Sequence, residues 1–220
     1  MNHKEILAAA QQGFEPIPVE PKLKQTALTN LEHWLTASMF ETYWPQLEFL
    51  AAQGRWPLLL DSFYRMIPFG TGGRRGPVGI GPNRINPYTI STSVQVHVEY
   101  LKARFADQKE KSIVIAWDVR KFHDLRGLYN PEQPNPLLSL SSCDLGVLAS
   151  RVYAANGIRT YLLDPAEESY ISTPELSFLI RAYHTQGGLN VSASHNHPDD
   201  NGGKFYNEQG GQDIPPNDQK

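Results

Sequence analysis

Along most of its length the chain switches between stretches where apolar residues return every three or four positions and short runs that are apolar throughout. Leu28, Leu31 and Leu35 make one such helical face, and Thr29 with Glu32 has capping-box spacing at its start. Pro45 can open a second helix that ends near Gly54, and Pro57 to Ile67 forms a third apolar segment. Asn86 and Pro87 read as an N-cap and first helical residue, after which Ile90, Val94, Val98, Leu101 and Phe105 keep helical spacing. Val94, Val96 and Val98 also alternate as a strand would, but the longer pattern favours helix. Ser141 to Ala155 predicts a helix with Leu145, Leu148 and Val152 on one face and Gly157 as its C-terminal cap. Thr173-Pro174-Glu175 predicts the start of another, with Leu176, Leu179, Ile180 and Tyr183 inward and Gly187-Gly188 closing it.

Three runs read as strands: Ser112 to Asp118, Ile158 to Leu163, and Leu189 to Ala193. Strand, helix, strand, helix, strand implies right-handed crossovers and parallel strands with helices on their faces. The expected fold is therefore α/β: a three-layer α/β/α domain with a mostly parallel mixed sheet, preceded by a helical N-terminal extension. Residues 1–22, polar and carrying Pro16, Pro18 and Pro21, read as an extended lead. Residues 125–136 form a Pro-rich loop, and 207–220 an open end almost without apolar side chains. The expected division is a lead and helical extension over 1–67, the sheet domain over 68–212, and a tail over 213–220.

Composition narrows the function. Twenty basic against 23 acidic residues give a formal net charge of −3, which argues against a nucleic-acid binder run on bulk charge. No apolar run approaches the roughly 18 residues of a membrane span, and the N-terminus reads as no secretory signal. The single cysteine, Cys143, points to a reducing, cytoplasmic setting. No partner membrane or nucleic acid is expected.

The glycines and prolines gather where chemistry is expected. Residues 69–87, FGTGGRRGPVGIGPNRINP, hold six glycines and three prolines and read as a shaped loop carrying Arg74, Arg75 and Arg84. Three strand ends carry polar clusters: Asp118-Val119-Arg120, Asp164, and Ser194-His195-Asn196-His197. Ligands collect at such carboxyl ends. In 190–206, NVSASHNHPDDNGGKFY, Ser194 follows a strand and precedes an Asn- and Gly-rich loop whose backbone N–H groups can hold an anion. His195 can exchange a proton near neutrality, and Lys204 brings a cation. By residue type alone such a cluster is more often a polar turn than an active site.

ASHNHPDDNGGKFY resembles the phosphoserine loop of the alpha-D-phosphohexomutases, the phosphoglucomutase and phosphomannomutase family, which reads roughly T-A-S-H-N-P-x-x-N-G-x-K-x-Y. FGTGGRRG at 69–76, IAWDVR at 115–120 and TPELSF at 173–178 are similar to three further motifs of that family, in family order. The helical front and NRINPYTI at 83–90 resemble the branch with phosphoglucomutase and phosphopentomutase. The resemblance covers about residues 28–212 and implies the first of four domains. The magnesium, sugar-binding and phosphate-binding loops belong to the other three, so the chain is expected to be a fragment, a truncated gene product or a stand-alone first domain.

The resemblance implies an isomerase, an intramolecular phosphotransferase acting on sugar 1- and 6-phosphates in carbohydrate metabolism. It implies Ser194 as phosphoserine, and as a Mg2+ ligand through its phosphate. Lys204 and His195 would be general acid/base, and Arg75 would position the phosphoserine and substrate. Asn196, Asn201, Asp118 and Arg120 would line the substrate and phosphate rim. A sugar 1,6-bisphosphate would be the activator, a hexose or pentose phosphate the substrate, and the remaining mutase domains the partners in cis or trans. The chain alone would turn over little. His197 in place of Pro, Arg74 in place of an apolar residue, Trp117 in place of Tyr and the long loop 125–136 depart from the family pattern. Two rivals stand beside this: a non-catalytic sugar-phosphate-binding module, and a zinc hydrolase using His195, His197 and Asp199 with help from His184 or His123. His3, His33, His97 and His184 are expected at the surface or on helix flanks.

Overall fold

The computed structural model describes residues 1–70 and 72–213. Residues 214–220, most of the expected tail, lie outside the described residues. The chain begins as helix α1, His3–Phe14, not as an extended lead. Asn2 caps it, accepting from the Glu5 N–H, while the Glu5 carboxylate accepts from the Asn2 N–H. Ile6, Ala10 and Phe14, four apart, are its buried stripe. Pro16 and Pro18 follow the helix, and Pro21 sits in the first turn of α2, Pro21–Thr36, where a missing N–H costs nothing. Thr29 is therefore mid-helix and no cap. A 3-10 turn, Ser38–Tyr43, leads into α3, Trp44–Ala52, and α4, Trp56–Phe63.

The glycine-rich stretch is only partly loop. Residues Gly73–Pro77 form strand β1, carrying Arg74 and Arg75. Helix α5, Pro87–Arg104, starts at the expected cap: Asn86 accepts from the Thr89 N–H, and the Thr89 hydroxyl accepts from the Asn86 N–H. Strand β2 is Lys111–Trp117, α6 is Ser142–Ala155 behind the Ser141 cap, and β3 is Ile158–Tyr161. Gly157, at φ +77, makes the left-handed turn between α6 and β3. Helix α7, Thr173–Ala182, is followed by β4, Gly187–Val191, so Gly187 and Gly188 belong to the strand and do not cap the helix. Tyr183, expected inward, is 53% exposed. Strand β5, Asp200–Asn207, was not expected: the residues read as loop turn the chain back along β4.

The sheet order is β1-β5-β4-β2-β3. Strand β2 runs parallel to β3 and β4, while β5 is antiparallel to both β4 and β1. Helices lie on both faces, as expected. Ile113, Ile115, Leu189, Val191 and Phe205 face α5 and α6, and Val114, Ala116 and Tyr206 face α7. The larger core cluster runs from Ile6 to Phe205, so the helical front and the sheet share one apolar interior. His97 lies in that interior at 6% exposure, on the buried side of α5 and not at the surface or a helix flank as expected, with its Nδ1 2.7 Å from the Tyr153 hydroxyl. No helix among the described residues is long and apolar enough to cross a membrane.

Register places the polar clusters. Trp117 of β2 pairs with Val191 of β4, which pairs with Gly203 of β5, and Pro77 at the end of β1 pairs with Asp200. The carboxyl ends of β2 and β4 thus meet the start of β5 at one end of the sheet.

Candidate active site

Ser194 stands at this end, three residues beyond β4. It is exposed and holds a left-handed backbone at φ +56, rare for a residue with a Cβ. Its N–H donates to the Ser192 hydroxyl at 2.9 Å, and its Oγ lies 3.4 Å from His195 Nδ1. The loop from Ser194 to Asp200 bends around one side chain, that of Arg120. Arg120 Nη1 donates to the carbonyls of His197 (2.6 Å), Pro198 (3.3 Å) and Asp200 (3.1 Å). Its Nη2 donates to the carbonyls of Ser194 (2.7 Å) and Asn196 (2.9 Å). Its Nε is paired with Asp118 Oδ2 at 3.2 Å.

Asp118 is itself fixed. Its Oδ1 accepts from the Ser142 hydroxyl at 2.6 Å and from the Arg120 N–H at 3.1 Å. Asn201 Nδ2 donates to the same Ser142 oxygen at 2.9 Å, which ties the start of β5 to the start of α6. Asn196 Nδ2 donates to Asp200 Oδ2 (3.2 Å), and Arg126 donates to Asp200 Oδ1 (2.7 Å). Asp199, 1% exposed, accepts from the backbone N–H groups of His123 and Arg126. The side chains of Asp118, Arg120, Asn196 and Asn201 are thus bonded inside the frame of the serine loop.

Arg75 and Lys204 form a second group. Arg75 pairs with Gly202 and Lys204 with Gly73 in the β1–β5 register, so both side chains leave the same face of the sheet, as does that of Asn190 opposite Lys204. Burial, with the Arg75 charge second, lowers the Lys204 ammonium from its ordinary value. Lys204 Nζ donates to Gln212 Oε1 at 2.8 Å. The Arg75 Nε is buried and has no hydrogen-bond partner among the described residues. No side-chain hydrogen bond among the described residues joins this pair to the serine loop. Arg74 points to the other face, where its Nη1 donates to Ser93.

His195, His197 and Asp199 do not converge: Asp199 is turned inward onto backbone amides, and His197 Nδ1 accepts from the Asp199 N–H. No group of three His, Cys, Asp or Glu side chains among the described residues is placed to hold a metal ion. Ser142, Arg126 and Asp200 were missed in the sequence. Each acts through a partner 24 to 74 positions away, and only Asp200 lay in a motif already singled out.

Fold and site together define a three-layer α/β/α domain that presents a serine at the carboxyl end of its sheet, on a loop wrapped around an arginine. Residues 140–220 match the sequence model for "Phosphoglucomutase/phosphomannomutase, alpha/beta/alpha domain I". The chain belongs to that phosphohexomutase family and corresponds to its first domain. It is 33% identical to a phosphoglucomutase of Staphylococcus haemolyticus over 152 residues, 69% of this chain and 23% of the relative. It is 29% identical to a phosphopentomutase of Mus musculus over 214 residues, 96% of this chain and 32% of the relative. The chain therefore spans about a quarter to a third of the length of these relatives. The fold is similar to that of a Thermus thermophilus protein assigned as a phosphomannomutase, with a TM-score of 0.51 and 24% identity over 70% of this chain and 29% of that one.

Proposed function

We propose that this chain carries the phosphoserine side of a sugar-phosphate mutase, with Ser194 as the group that bears the phosphoryl. One observation carries the reading: an exposed serine hydroxyl, beside an imidazole nitrogen, on a left-handed backbone that the Arg120 frame holds in place. In the forward half-reaction a sugar hydroxyl attacks phosphorus, its proton passes to a base, and the bond from phosphorus to Ser194 Oγ breaks to leave a sugar bisphosphate. The return half-reaction takes a phosphoryl from the other position and restores phosphoserine. His195, next to Ser194 Oγ, and Lys204, whose ammonium is lowered, are the proton-handling groups. Arg75 and Lys204 supply the positive charge a dianionic phosphate needs. A Mg2+ ion, when bound, would neutralise charge on the phosphoryl oxygens, and the Ser194 phosphate is the ligand this chain offers it. The carboxylate ligands and the sugar-binding surface would come from further mutase domains in cis or trans.

The test is intact-mass analysis after incubation with glucose 1,6-bisphosphate and magnesium. One added phosphoryl group, absent from the Ser194→Ala protein, is the expected outcome. A phosphate mapped to another residue would sink the assignment.

A further inference from the structure

The structure assigns Arg120 as the positioning residue of the serine loop, a clamp that sets the Ser194 backbone and does not itself bind phosphate. The inference rests on the reading of Ser194 as the phosphoryl carrier and gives that site its mechanical support. Both Nη groups of the guanidinium donate to loop carbonyls, and Nε is ion-paired with Asp118. Five carbonyls of the segment 194–200 and one Asp118 oxygen surround it at 2.6–3.3 Å. The guanidinium offers its donors in a fixed planar fork; here the Nη edge is filled by carbonyls and the Nε side faces the Asp118 carboxylate, which leaves no open edge for a phosphate oxygen. Its charge is offset by Asp118, and its side chain is 11% exposed.

The clamp also decides which way the loop's amides point. In a trans peptide the N–H lies opposite the C=O. The carbonyls of Ser194 and Asn196 turn toward Arg120, so the N–H groups of His195 and His197 turn away from it. Neither N–H enters a hydrogen bond among the described residues. Two backbone donors in the three residues after the serine are thus left on the side away from the clamp, where they can meet a phosphoryl on Ser194. A lysine could not do this work: its ammonium has three donors and no plane, so it cannot gather five carbonyls.

The experiment compares the wild-type chain with Arg120→Lys and Arg120→Ala. Amide hydrogen exchange by NMR is read at Asn196 and Asp200, whose N–H groups donate to Ala193 and His197 inside the loop, and at Leu189 in β4 as a core reference. Arg120→Lys should speed exchange at Asn196 and Asp200 about tenfold or more, since charge-assisted bonds to the loop are lost, and leave Leu189 unchanged. Millimolar guanidinium chloride, but not ammonium chloride, should restore protection in Arg120→Ala. In the same proteins phosphoryl uptake at Ser194 from glucose 1,6-bisphosphate should slow by about a hundredfold in Arg120→Lys, with the half-saturating concentration unchanged. Unchanged exchange at Asn196 and Asp200, or equal acceleration at Leu189, overturns the clamp. A raised half-saturating concentration with an unchanged maximal rate also overturns it, because that is the signature of a phosphate-binding arginine. A wild-type chain that takes up no phosphoryl removes the reading of Ser194, while the exchange rates and the guanidinium rescue still decide the clamp.

Discussion

Ser194 has a Cβ and yet occupies the left-handed region, which costs on the order of 1–3 kcal/mol and persists only where surroundings enforce it. The enforcing contacts are the Arg120 bonds on its own carbonyl and on Asn196, together with the Ser192 hydroxyl on its N–H. Lys204 shows the other use of local environment. Burial first, and the facing Arg75 second, lower its ammonium. Replacing Arg75 with Gln removes the second cause and leaves the first. The Lys204 side-chain titration, followed by 13C NMR, should therefore move toward higher pH in Arg75→Gln. A midpoint that does not move would mean that the guanidinium does not face Lys204, and would weaken the case for a shared cationic wall.

Among the elements, those with local signals were legible in the sequence. Asn86, Ser141 and the Thr173-Pro174-Glu175 start each put the helix boundary within a residue of where it stands, because cap and first-turn residues act over a few neighbouring positions, whereas the capping-box spacing of Thr29 and Glu32 falls inside α2. Elements that depend on distant partners were not. Strand β5, DNGGKFYN, lacks the alternation of a half-buried strand and forms because β4 and β1 pair with it on both sides. Helix α1 was hidden by the prolines after it, although Ile6, Ala10 and Phe14 marked its face. The site divides the same way. Ser194, His195 and Lys204 could be read from a compact motif, whereas the use of Arg120 as a hub for carbonyls 74 to 80 positions away could not. Close packing between elements gives a test. A Cβ on Gly146 of α6 would meet Cε3 of the Trp117 ring at 2.8 Å, and an indole in the core cannot swing aside cheaply. Gly146→Ala should cost roughly 1–3 kcal/mol in a urea titration, as overpacking does, despite the better helix propensity of Ala. A protein as stable as the parent would show that Trp117 can tilt away.

The whole molecule unfolds as one body if its core is as continuous as the contacts indicate. Phe14 of α1, 1% exposed, belongs to the same cluster as Leu189 and Phe205 of the sheet. Phe14→Ala should cost about 3–5 kcal/mol, by transfer and cavity together. It should shift a single transition seen alike by helix and tryptophan signals. Two separated transitions would show that the helical front is a unit of its own. Acid acts on the same core through one imidazole. His97 is buried against Tyr153, Tyr100 and Phe205, and that burial pushes its imidazole down from 6.5 to about 3. Its Nε2 has no hydrogen-bond partner among the described residues, so a proton placed there would be a buried, unpaired charge. The folded value lies below the unfolded one. The stability that goes with a neutral His97 is therefore present in full above pH 6.5 and is lost as the pH falls from 6.5 toward 3. Between neutral pH and pH 5 the loss from this residue is about 2 kcal/mol. Unfolding free energies from urea titrations at neutral pH and at pH 5 should differ less in His97→Gln than in the parent, by about that amount. Equal differences in the two proteins would mean that the imidazole reaches water when it is protonated, and that acid acts on the fold elsewhere.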